Sequence, residues 1–234
     1  MKLSILIPVY NEGELFCELL DRVINVQLLN SVEKEIIVIN DGSRESTSVI
    51  VEECIKRRSG VDIKYFKHLK NGGKGSALHT GIKHSTGDYI VVQDADLEYD
   101  PNQYNLLLEP ILAGVADVVY GSRYIGSHPN RSAFFMHSFG NRSLTFVFNL
   151  FNNLHLSDME TCYKLIKGDV LRTLILKEKR FGFEPEVTAK LACIADIRFC
   201  EVGISYQGGS YKEGKKINWK DAVRALYCIV RYSI

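Results

Sequence analysis

Two aspartates separated by a single alanine follow a short apolar run near the middle of the chain. Residues 89–92 are apolar and largely β-branched, a pattern typical of a buried strand. Asp94 and Asp96 follow this run, and residues two apart in an extended segment point to the same side. Ligands of an open α/β sheet gather beyond the carboxyl ends of its strands, where hard oxygen ligands suit Mg²⁺ or Mn²⁺ carrying a diphosphate. The alternative is an ordinary turn after a strand, so the metal hypothesis depends on the surrounding motifs.

The loops after the first and second predicted strands carry an aromatic ring and acidic groups. Pro8, Tyr10 and Glu12 follow the first strand, and Asp41 follows the second. A tyrosine ring can stack on a nucleobase, and a carboxylate accepts hydrogen bonds from a base or a ribose. These residues therefore predict a nucleoside site on the same sheet edge as the aspartate pair. Turn chemistry is the alternative for Tyr10 and Asp41, because turn-forming Asn and Gly residues follow them directly.

Basic residues in two further loops are candidates for binding a phosphate. Residues 71–75, Asn-Gly-Gly-Lys-Gly, resemble a phosphate cradle before a helix but lack the Walker spacing. Lys74 therefore either contacts a phosphate or sugar, or is a solvated lysine in a glycine-rich turn. Arg123 and Arg131 flank the loop after the fifth predicted strand, and the planar fork of arginine matches a phosphate group.

The second half of the chain offers candidates for contacting the sugar and the acceptor. Asp158 and Glu160 precede a short predicted strand, and we expect them near the sugar. A hydroxyl acceptor would need a general base, for which Asp158 is the first candidate. Residues 207–216 form a polar loop rich in Gly and Lys, and we expect it to act as a mobile lid that brings Lys215 over the diphosphate.

An alternation of strands and helices must position these side chains. Strands are predicted at residues 3–9, 35–40, 62–66, 89–92 and 117–120, with helices at 14–28 and 45–58, a helix that follows the loop 71–75 and ends at 84, and a helix from 100 onward. This repeat of about 25 residues predicts a parallel sheet with helices on both faces. Beyond residue 123 we expect helices at 134–153, 170–176, 184–193 and 219–232, and strands after 158 and at 197–206. The prediction is one α/β domain over 1–234, with a nucleotide-binding half (1–123) and an acceptor half (124–234).

The composition of the chain argues against several classes of protein. A formal net charge of +1 over 234 residues argues against a nucleic-acid-binding protein, which would need a strongly basic face. The six cysteines form no Cys-x-x-Cys pair, so we expect reduced, small core residues of a cytoplasmic protein. The N-terminus leads directly into a strand, which predicts no signal peptide. No apolar stretch approaches the roughly 20 residues that span a bilayer, so any membrane contact is expected to be peripheral.

Several motifs along the chain occur together and in a recognisable order. They are Pro8-Val-Tyr-Asn-Glu12, Asn40-Asp-Gly-Ser43, Asn71-Gly-Gly-Lys-Gly75, Asp94-Ala-Asp96, Gly121-Ser-Arg123, Asp158-Met-Glu-Thr-Cys-Tyr-Lys164, Phe181-Gly-Phe-Glu-Pro-Glu186 and Glu213-Gly-Lys-Lys-Ile217. This set resembles glycosyltransferase family 2, in the branch of dolichol- and polyprenyl-phosphate sugar transferases. The resemblance covers nearly the whole chain.

The resemblance implies a GT-A fold, a GDP- or UDP-linked sugar donor, and inversion at the anomeric carbon. The residues that it implies for the nucleoside are Pro8, Tyr10, Glu12, Ile39 and Asp41. It places Asp94, Ala95 and Asp96 at the diphosphate and the metal, with Glu98 nearby as a metal ligand. Relatives often carry glutamine where Glu98 stands. It also implies that Arg123 meets a phosphate and that Lys215 meets the donor from the lid.

The expected acceptor is a polyprenyl phosphate, such as a dolichyl or undecaprenyl phosphate. A phosphate monoester with its second pKa near 6 is largely a dianion at neutral pH, so it needs positioning by Arg123 and Arg131 more than deprotonation. The alternatives are a polysaccharide or protein acceptor, or a catalytically silent protein that binds nucleotide sugars. Residues 134–151 and the last helix either rest on a bilayer or pack on the sheet. A membrane-anchoring partner chain is a further possibility.

Overall fold

The computed structural model describes residues 1–58, 60–126, 135–208 and 219–233. The strands in these residues are β1 (Lys2–Val9), β2 (Glu33–Asn40), β3 (Ile63–Lys67), β4 (Tyr89–Val92), β5 (Val118–Ser122), β6 (Lys164–Lys167) and β7 (Phe199–Gly203). The helices are α1 (Gly13–Asn25), α2 (Glu45–Lys56), α3 (Lys74–His84), α4 (Tyr104–Leu112), α5 (Phe135–Asn152), α6 (Gly168–Thr173), α7 (Phe183–Ala192) and α8 (Trp219–Tyr232). Short 3₁₀ turns lie at Leu29–Ser31 and Pro101–Gln103.

The strands of the described chain form one sheet in the order β3-β2-β1-β4-β6-β5-β7. Every neighbouring pair is parallel except the two that involve β6, which runs antiparallel to both β4 and β5. This confirms the expected single α/β domain with an open, mostly parallel sheet. Because β6 runs in the opposite direction, the segment that precedes it lies at the edge where the parallel strands end. Asp158 and Glu160 thus come to the same edge as the aspartate pair.

The helices pack their apolar faces on the sheet, as the periodicity of the sequence predicts. Helix α1 shows this most clearly, because Phe16, Leu19, Leu20 and Val23 recur at helical spacing and are all fully buried. The helix ends at Asn25, three residues before the predicted end, because the next residue, Val26, adopts an extended conformation. No helix in the described residues is both long enough and apolar enough to cross a bilayer.

One pair of cysteines differs from the expected reduced state. We expected reduced cysteines, but the structure joins Cys17 on α1 to Cys54 on α2 in a disulfide with a Cα–Cα distance of 5.8 Å. The two residues are 37 positions apart, and only the packing of α1 beside α2 brings them together. Of the remaining cysteines, all of which are free thiols, Cys162 and Cys228 are buried core residues, as predicted.

Candidate nucleotide-sugar site

The loops after β1 and β2 are held together by hydrogen bonds between their backbones and side chains. The Asn11 backbone N–H donates to Ser43 Oγ at 3.1 Å, and the Arg44 backbone N–H donates to Asn11 Oδ1 at 2.9 Å. Asn11 adopts a left-handed conformation with φ of 58°, which asparagine tolerates better than most residues. The Tyr10 side chain is 49% exposed, so its ring is accessible at the rim of the sheet edge.

The Asp41 carboxylate organises the loop of residues 71–73. It accepts hydrogen bonds from the backbone N–H groups of Gly72 and Gly73 at 3.0 and 2.7 Å, and from Asn71 Nδ2 at 2.9 Å. His68 Nδ1 lies 2.7 Å from the same carboxylate. Asp41 is 2% exposed, so in this arrangement it serves the protein's own loops. The predicted contact of Asp41 with a nucleoside stays a prediction.

Two glycines make this close packing of loops possible. Gly42 has φ of +67°, and a Cβ there would collide with the backbone between Lys70 and Asn71. Gly73 has φ of +95°, and a Cβ there would lie 2.5 Å from the carbonyl oxygen of Lys179. The Asn-Gly-Gly-Lys-Gly motif is therefore held between the loop after β2 and the segment that precedes α7.

The ammonium group of Lys74 bridges two carboxylates at the start of α3. Its Nζ lies 2.8 Å from Asp94 Oδ1 and 2.9 Å from Glu184 Oε1. The Lys74 side chain is only 18% exposed, which rules out the alternative of a solvated lysine. Burial by itself would lower the pKa of Lys74, but the negative charges of Asp94 and Glu184 outweigh it and hold that pKa well above its ordinary value.

Asp96 and Glu98 connect the aspartate pair to the segment after β7. Asp96 is 9% exposed, and its Oδ1 accepts a hydrogen bond from the Glu98 backbone N–H at 3.1 Å. The Glu98 carboxylate accepts a hydrogen bond from the Tyr206 hydroxyl at 2.9 Å, and the Glu98 carbonyl accepts one from the Gln207 backbone at 3.0 Å. Glu98 thus fixes the chain just before the predicted lid, and its role as a metal ligand stays a prediction.

The aspartate pair fits a divalent cation that is completed by ligands from a bound diphosphate. Within the described residues, no three His, Cys, Asp or Glu side chains are grouped closely enough to hold a metal ion alone. Asp94 and Asp96 supply hard carboxylate oxygens, which suit Mg²⁺ or Mn²⁺. Mg²⁺ is commonly held by one or two carboxylates together with substrate phosphates and water. The donor set therefore fits a metal bound to a diphosphate.

Arg123 forms a two-pronged ion pair with Asp158. Its Nε and Nη2 each donate to a carboxylate oxygen of Asp158 at 2.7 Å, and its backbone N–H donates at 3.1 Å. Asp158 is fully buried. Burial would lower the pKa of Arg123, but the Asp158 carboxylate outweighs it and keeps that pKa well above its ordinary value. Because both Asp158 oxygens are held by a guanidinium, the carboxylate is poorly placed to accept a proton, and its role as a base stays a prediction.

Charged side chains near the start of β6 form a group in which only Glu160 was assigned a role from the sequence, near the sugar. Within the described residues, one oxygen of Glu160 and one of Glu184 are buried without a hydrogen-bond partner. Burial and the neighbouring Glu184 charge raise the pKa of Glu160 to about 7. Lys164 is buried and donates to the carbonyl oxygens of Met159 and Thr161, and burial lowers its pKa. The Glu-Pro-Glu sequence at the start of α7 was the one available signal for Glu184.

The remaining predicted site residues fall into two groups. Pro8 and Glu12 are partly buried, Ala95 is buried, and Ile39 is fully buried in β2, so only backbone atoms of Ile39 could reach a ligand. Arg131 and Lys215 lie outside the described residues, together with most of the predicted lid. Their predicted contacts with a phosphate and with the donor remain predictions.

Comparison with curated proteins places the chain near lipid-phosphate sugar transferases. It is 38% identical over 125 residues to the dolichol-phosphate mannosyltransferase of Pyrococcus furiosus, a match that covers 53% of this chain and 34% of that protein. It is 30% identical over 221 residues to the dolichyl-phosphate beta-glucosyltransferase of Dictyostelium discoideum, covering 87% of this chain and 66% of that protein. The chain thus spans between about one third and two thirds of the length of these relatives.

Comparison with solved structures establishes the fold. The glucosyl-3-phosphoglycerate synthase of Mycobacterium tuberculosis, in complex with Mn²⁺, UDP and phosphoglyceric acid, matches with a TM-score of 0.74 at 15% identity over 99% of this chain and 78% of that one. Its complex with Mg²⁺ and UDP matches with a TM-score of 0.73 at 13% identity, over 99% and 79%. These matches confirm the expected GT-A type of fold.

The match to a protein family covers most of the chain. The family described as Glycosyl transferase family 2 matches residues 4–175, which contain most of β1, all of β2 to β6, and the aspartate pair. All the motifs on which we based the resemblance, apart from the two after residue 175, lie within the match. The chain therefore belongs to glycosyl transferase family 2.

Proposed function

We propose that this chain is an inverting hexosyltransferase that moves a sugar from a nucleotide-sugar donor to a polyprenyl phosphate. The proposal rests mainly on one observation: Tyr10, Lys74 and the pair Asp94 and Asp96 all lie at the edge where the parallel strands end. This edge combines an accessible aromatic ring, a buried ammonium group and two hard carboxylates. A nucleoside, a diphosphate and a divalent cation need these three kinds of partner.

The donor half of the proposal follows from the charge of the leaving group. A nucleoside diphosphate departs as an anion, and a divalent cation held by Asp94 and Asp96 would stabilise that charge when it is bound. Lys74 adds a fixed positive charge beside the same carboxylate. The structural neighbours hold Mn²⁺ or Mg²⁺ together with UDP, which supports either cation and a UDP-linked sugar here, with a GDP-linked sugar as the other candidate.

The acceptor half of the proposal follows from the curated relatives and from Arg123. The names of two relatives specify a dolichol or dolichyl phosphate. Arg123 is held at the same sheet edge by Asp158, and the planar guanidinium of arginine is well suited to phosphate oxygens. A phosphate dianion is already a nucleophile, so a direct single displacement would invert the anomeric carbon without a general base. We place this acceptor site in the half of the chain from residue 124 onward.

An exposed apolar surface supports a lipid acceptor and peripheral membrane contact on the cytoplasmic side. Helices α5 and α8 pack against each other. Phe146 and Leu150 on α5 are 68% and 73% exposed, and Leu226, Tyr227 and Val230 on α8 are also exposed. We call these five residues the α5–α8 apolar surface. Large apolar side chains at helical spacing on a protein surface are typical of contact with a membrane interface or a partner.

A transfer assay tests the proposal. The purified chain is incubated with radiolabelled UDP- or GDP-hexoses, Mn²⁺ or Mg²⁺, and dolichyl or undecaprenyl phosphate in detergent. We expect a lipid-linked sugar of inverted anomeric configuration, identified by mass spectrometry and NMR. Asp96→Asn should lower turnover by about 100-fold or more, because the leaving group loses metal stabilisation. Asp169→Asn, an exposed aspartate on α6, is the matched control and should retain turnover.

Each of three outcomes would contradict a different part of the proposal. Transfer to a soluble saccharide or a protein but not to a lipid phosphate would overturn the acceptor. Unchanged metal dependence in Asp96→Asn would overturn the metal role. Binding of a nucleotide sugar without any transfer or hydrolysis would favour a silent binding protein.

A further inference from the structure

We infer that Lys74 is an internal counter-ion for the metal-binding carboxylate, and that it makes tight metal binding depend on the nucleotide. The inference rests on the proposed function, because it assumes that Asp94 and Asp96 hold the metal of a metal–diphosphate complex. Beside the positive charge that Lys74 offers the leaving group, it gives this lysine a second role in setting the affinity of Asp94 for the metal, and it implies an order of binding for the two ligands.

The geometry is that of one ammonium group between two acidic side chains from distant parts of the chain. Lys74 Nζ lies 2.8 Å from Asp94 Oδ1 and 2.9 Å from Glu184 Oε1. Asp94 follows β4 and Glu184 lies in the first turn of α7, whereas Lys74 begins α3. Because the three side chains are 9–18% exposed, water screens the two ion pairs only weakly.

This contact affects the affinity of Asp94 for a cation. A divalent ion that binds Asp94 must approach a carboxylate whose charge is already balanced by Lys74, and two cations at one carboxylate repel each other. A metal ion alone offers no compensation for this repulsion. When the metal ion binds together with a nucleoside diphosphate, the negative charge of the diphosphate compensates the positive charges of both Lys74 and the metal.

Glu184 keeps Lys74 in place when Asp94 turns to the metal. Its Oε1 lies 2.9 Å from Lys74 Nζ, and its Oε2 is buried with no hydrogen-bond partner in the described part of the chain, so the contact with Lys74 helps to offset the cost of burying this carboxyl group. The backbone also restrains the lysine, because the Ser76 N–H donates to the Lys179 carbonyl at 3.0 Å at the start of α3. We therefore expect Lys74 to remain at the site and to face the diphosphate.

The test measures binding of Mn²⁺ alone and in the presence of UDP, by electron paramagnetic resonance and isothermal titration calorimetry. In the natural chain we expect weak Mn²⁺ binding that UDP strengthens by about tenfold or more. In Lys74→Met we expect Mn²⁺ alone to bind about tenfold more tightly, and the strengthening by UDP to shrink by a similar factor. Lys83→Met, at the other end of α3, should behave as the natural chain does.

A second comparison controls for the possibility that Lys74→Met misfolds. Lys74→Met leaves Glu184 as an unpaired buried charge, and removing both charges at once cancels part of the effect on a cation. Lys74→Met/Glu184→Gln is therefore compared with Glu184→Gln, from which it differs only at Lys74, and should bind Mn²⁺ about tenfold more tightly than Glu184→Gln does. Circular dichroism and the melting temperature confirm that each variant is folded. Mn²⁺ affinity of the folded double variant within about twofold of that of Glu184→Gln would overturn the inference. A natural chain that binds neither UDP nor a nucleotide sugar would overturn the proposed function, whereas the Mn²⁺ comparison without nucleotide would still test Lys74.

Discussion

At the scale of single residues, two acidic groups of the site are each paired with a basic partner. Asp94 is paired with Lys74, and Asp158 with Arg123. The sequence identified all four residues but assigned them to ligands, because it shows residue types and not contacts. In the structure, the two cations neutralise the protein's own carboxylates. Ligand binding must therefore compete with these contacts or extend them.

The Arg123–Asp158 pair makes a prediction about stability. Arg123→Met leaves Asp158 as an unpaired, fully buried charge, which should cost about 3–5 kcal/mol of the free energy of unfolding. Urea denaturation followed by circular dichroism measures this loss. Arg123→Met/Asp158→Asn removes both charges and should recover part of the stability. Equal stability of Arg123→Met and the natural chain would show that Asp158 finds another partner or is not charged.

At the scale of elements, the edge opposite the site is tied together by one buried carboxylate. Glu35 on β2 accepts hydrogen bonds from the Ser4 hydroxyl on β1, the Lys64 ammonium on β3, and the Thr86 backbone and hydroxyl. Burial would raise the pKa of Glu35, but these donors outweigh it and hold the pKa at about 2, below its ordinary value of 4.5. The charged form therefore stabilises the packing of β1, β2 and β3, which are neighbours at one end of the sheet.

This lowered pKa predicts how stability changes in acid. A group with a depressed folded-state pKa stabilises the fold above its unfolded pKa, so the contribution is complete at neutral pH and is lost as the pH falls from about 5 towards 2. The shift corresponds to roughly 3 kcal/mol. Urea unfolding of Glu35→Gln and the natural chain should differ most at pH 7 and converge near pH 2 to 3. A difference between them that does not depend on pH would contradict the assignment.

The disulfide between α1 and α2 makes a second prediction at this scale. Cys17 and Cys54 close a loop over a sequence separation of 37 residues, so reduction should cost about 2–4 kcal/mol and lower the melting temperature by roughly 5–10 °C. The measurement is a thermal melt with and without reductant, with Cys17→Ser/Cys54→Ser as the variant that reductant should not affect. Alkylation and mass spectrometry of the unreduced chain should find four free thiols among the six cysteines. Six free thiols would contradict the pairing.

At the scale of the whole molecule, the sequence predicted the fold class and the edge that carries the site. The alternation of apolar runs with amphipathic helices was sufficient for β1 to β5, because β1, β2, β4 and β5 are largely buried, whereas β3 is partly buried at the end of the sheet. The loops after β1, β2 and β4 converge as expected, since parallel strands end at a common edge.

Other features depend on contacts between residues that are distant in the sequence. Strand β6 is four residues long and enters the sheet between β4 and β5 in the opposite direction, and no local pattern specifies its neighbours. The ion pair between Arg123 and Asp158 spans 35 positions, and the Lys74 bridge joins three separate motifs. Side-chain partners of this kind are determined by the folded sheet, so periodicity and spacing could not reveal them.

The most direct test of the central claim is a screen of nucleotide sugars for metal-dependent thermal stabilisation of the natural chain and of Asp96→Asn. A ligand that binds only the folded state raises the melting temperature, because it stabilises that state by RT ln(1 + [L]/Kd). The account predicts that at least one UDP- or GDP-linked hexose raises the melting temperature of the natural chain only when Mn²⁺ or Mg²⁺ is present. It also predicts that Asp96→Asn loses this response. Stabilisation that is independent of the metal, or an equal response in both proteins, would contradict a metal-assisted nucleotide-sugar site at the aspartate pair.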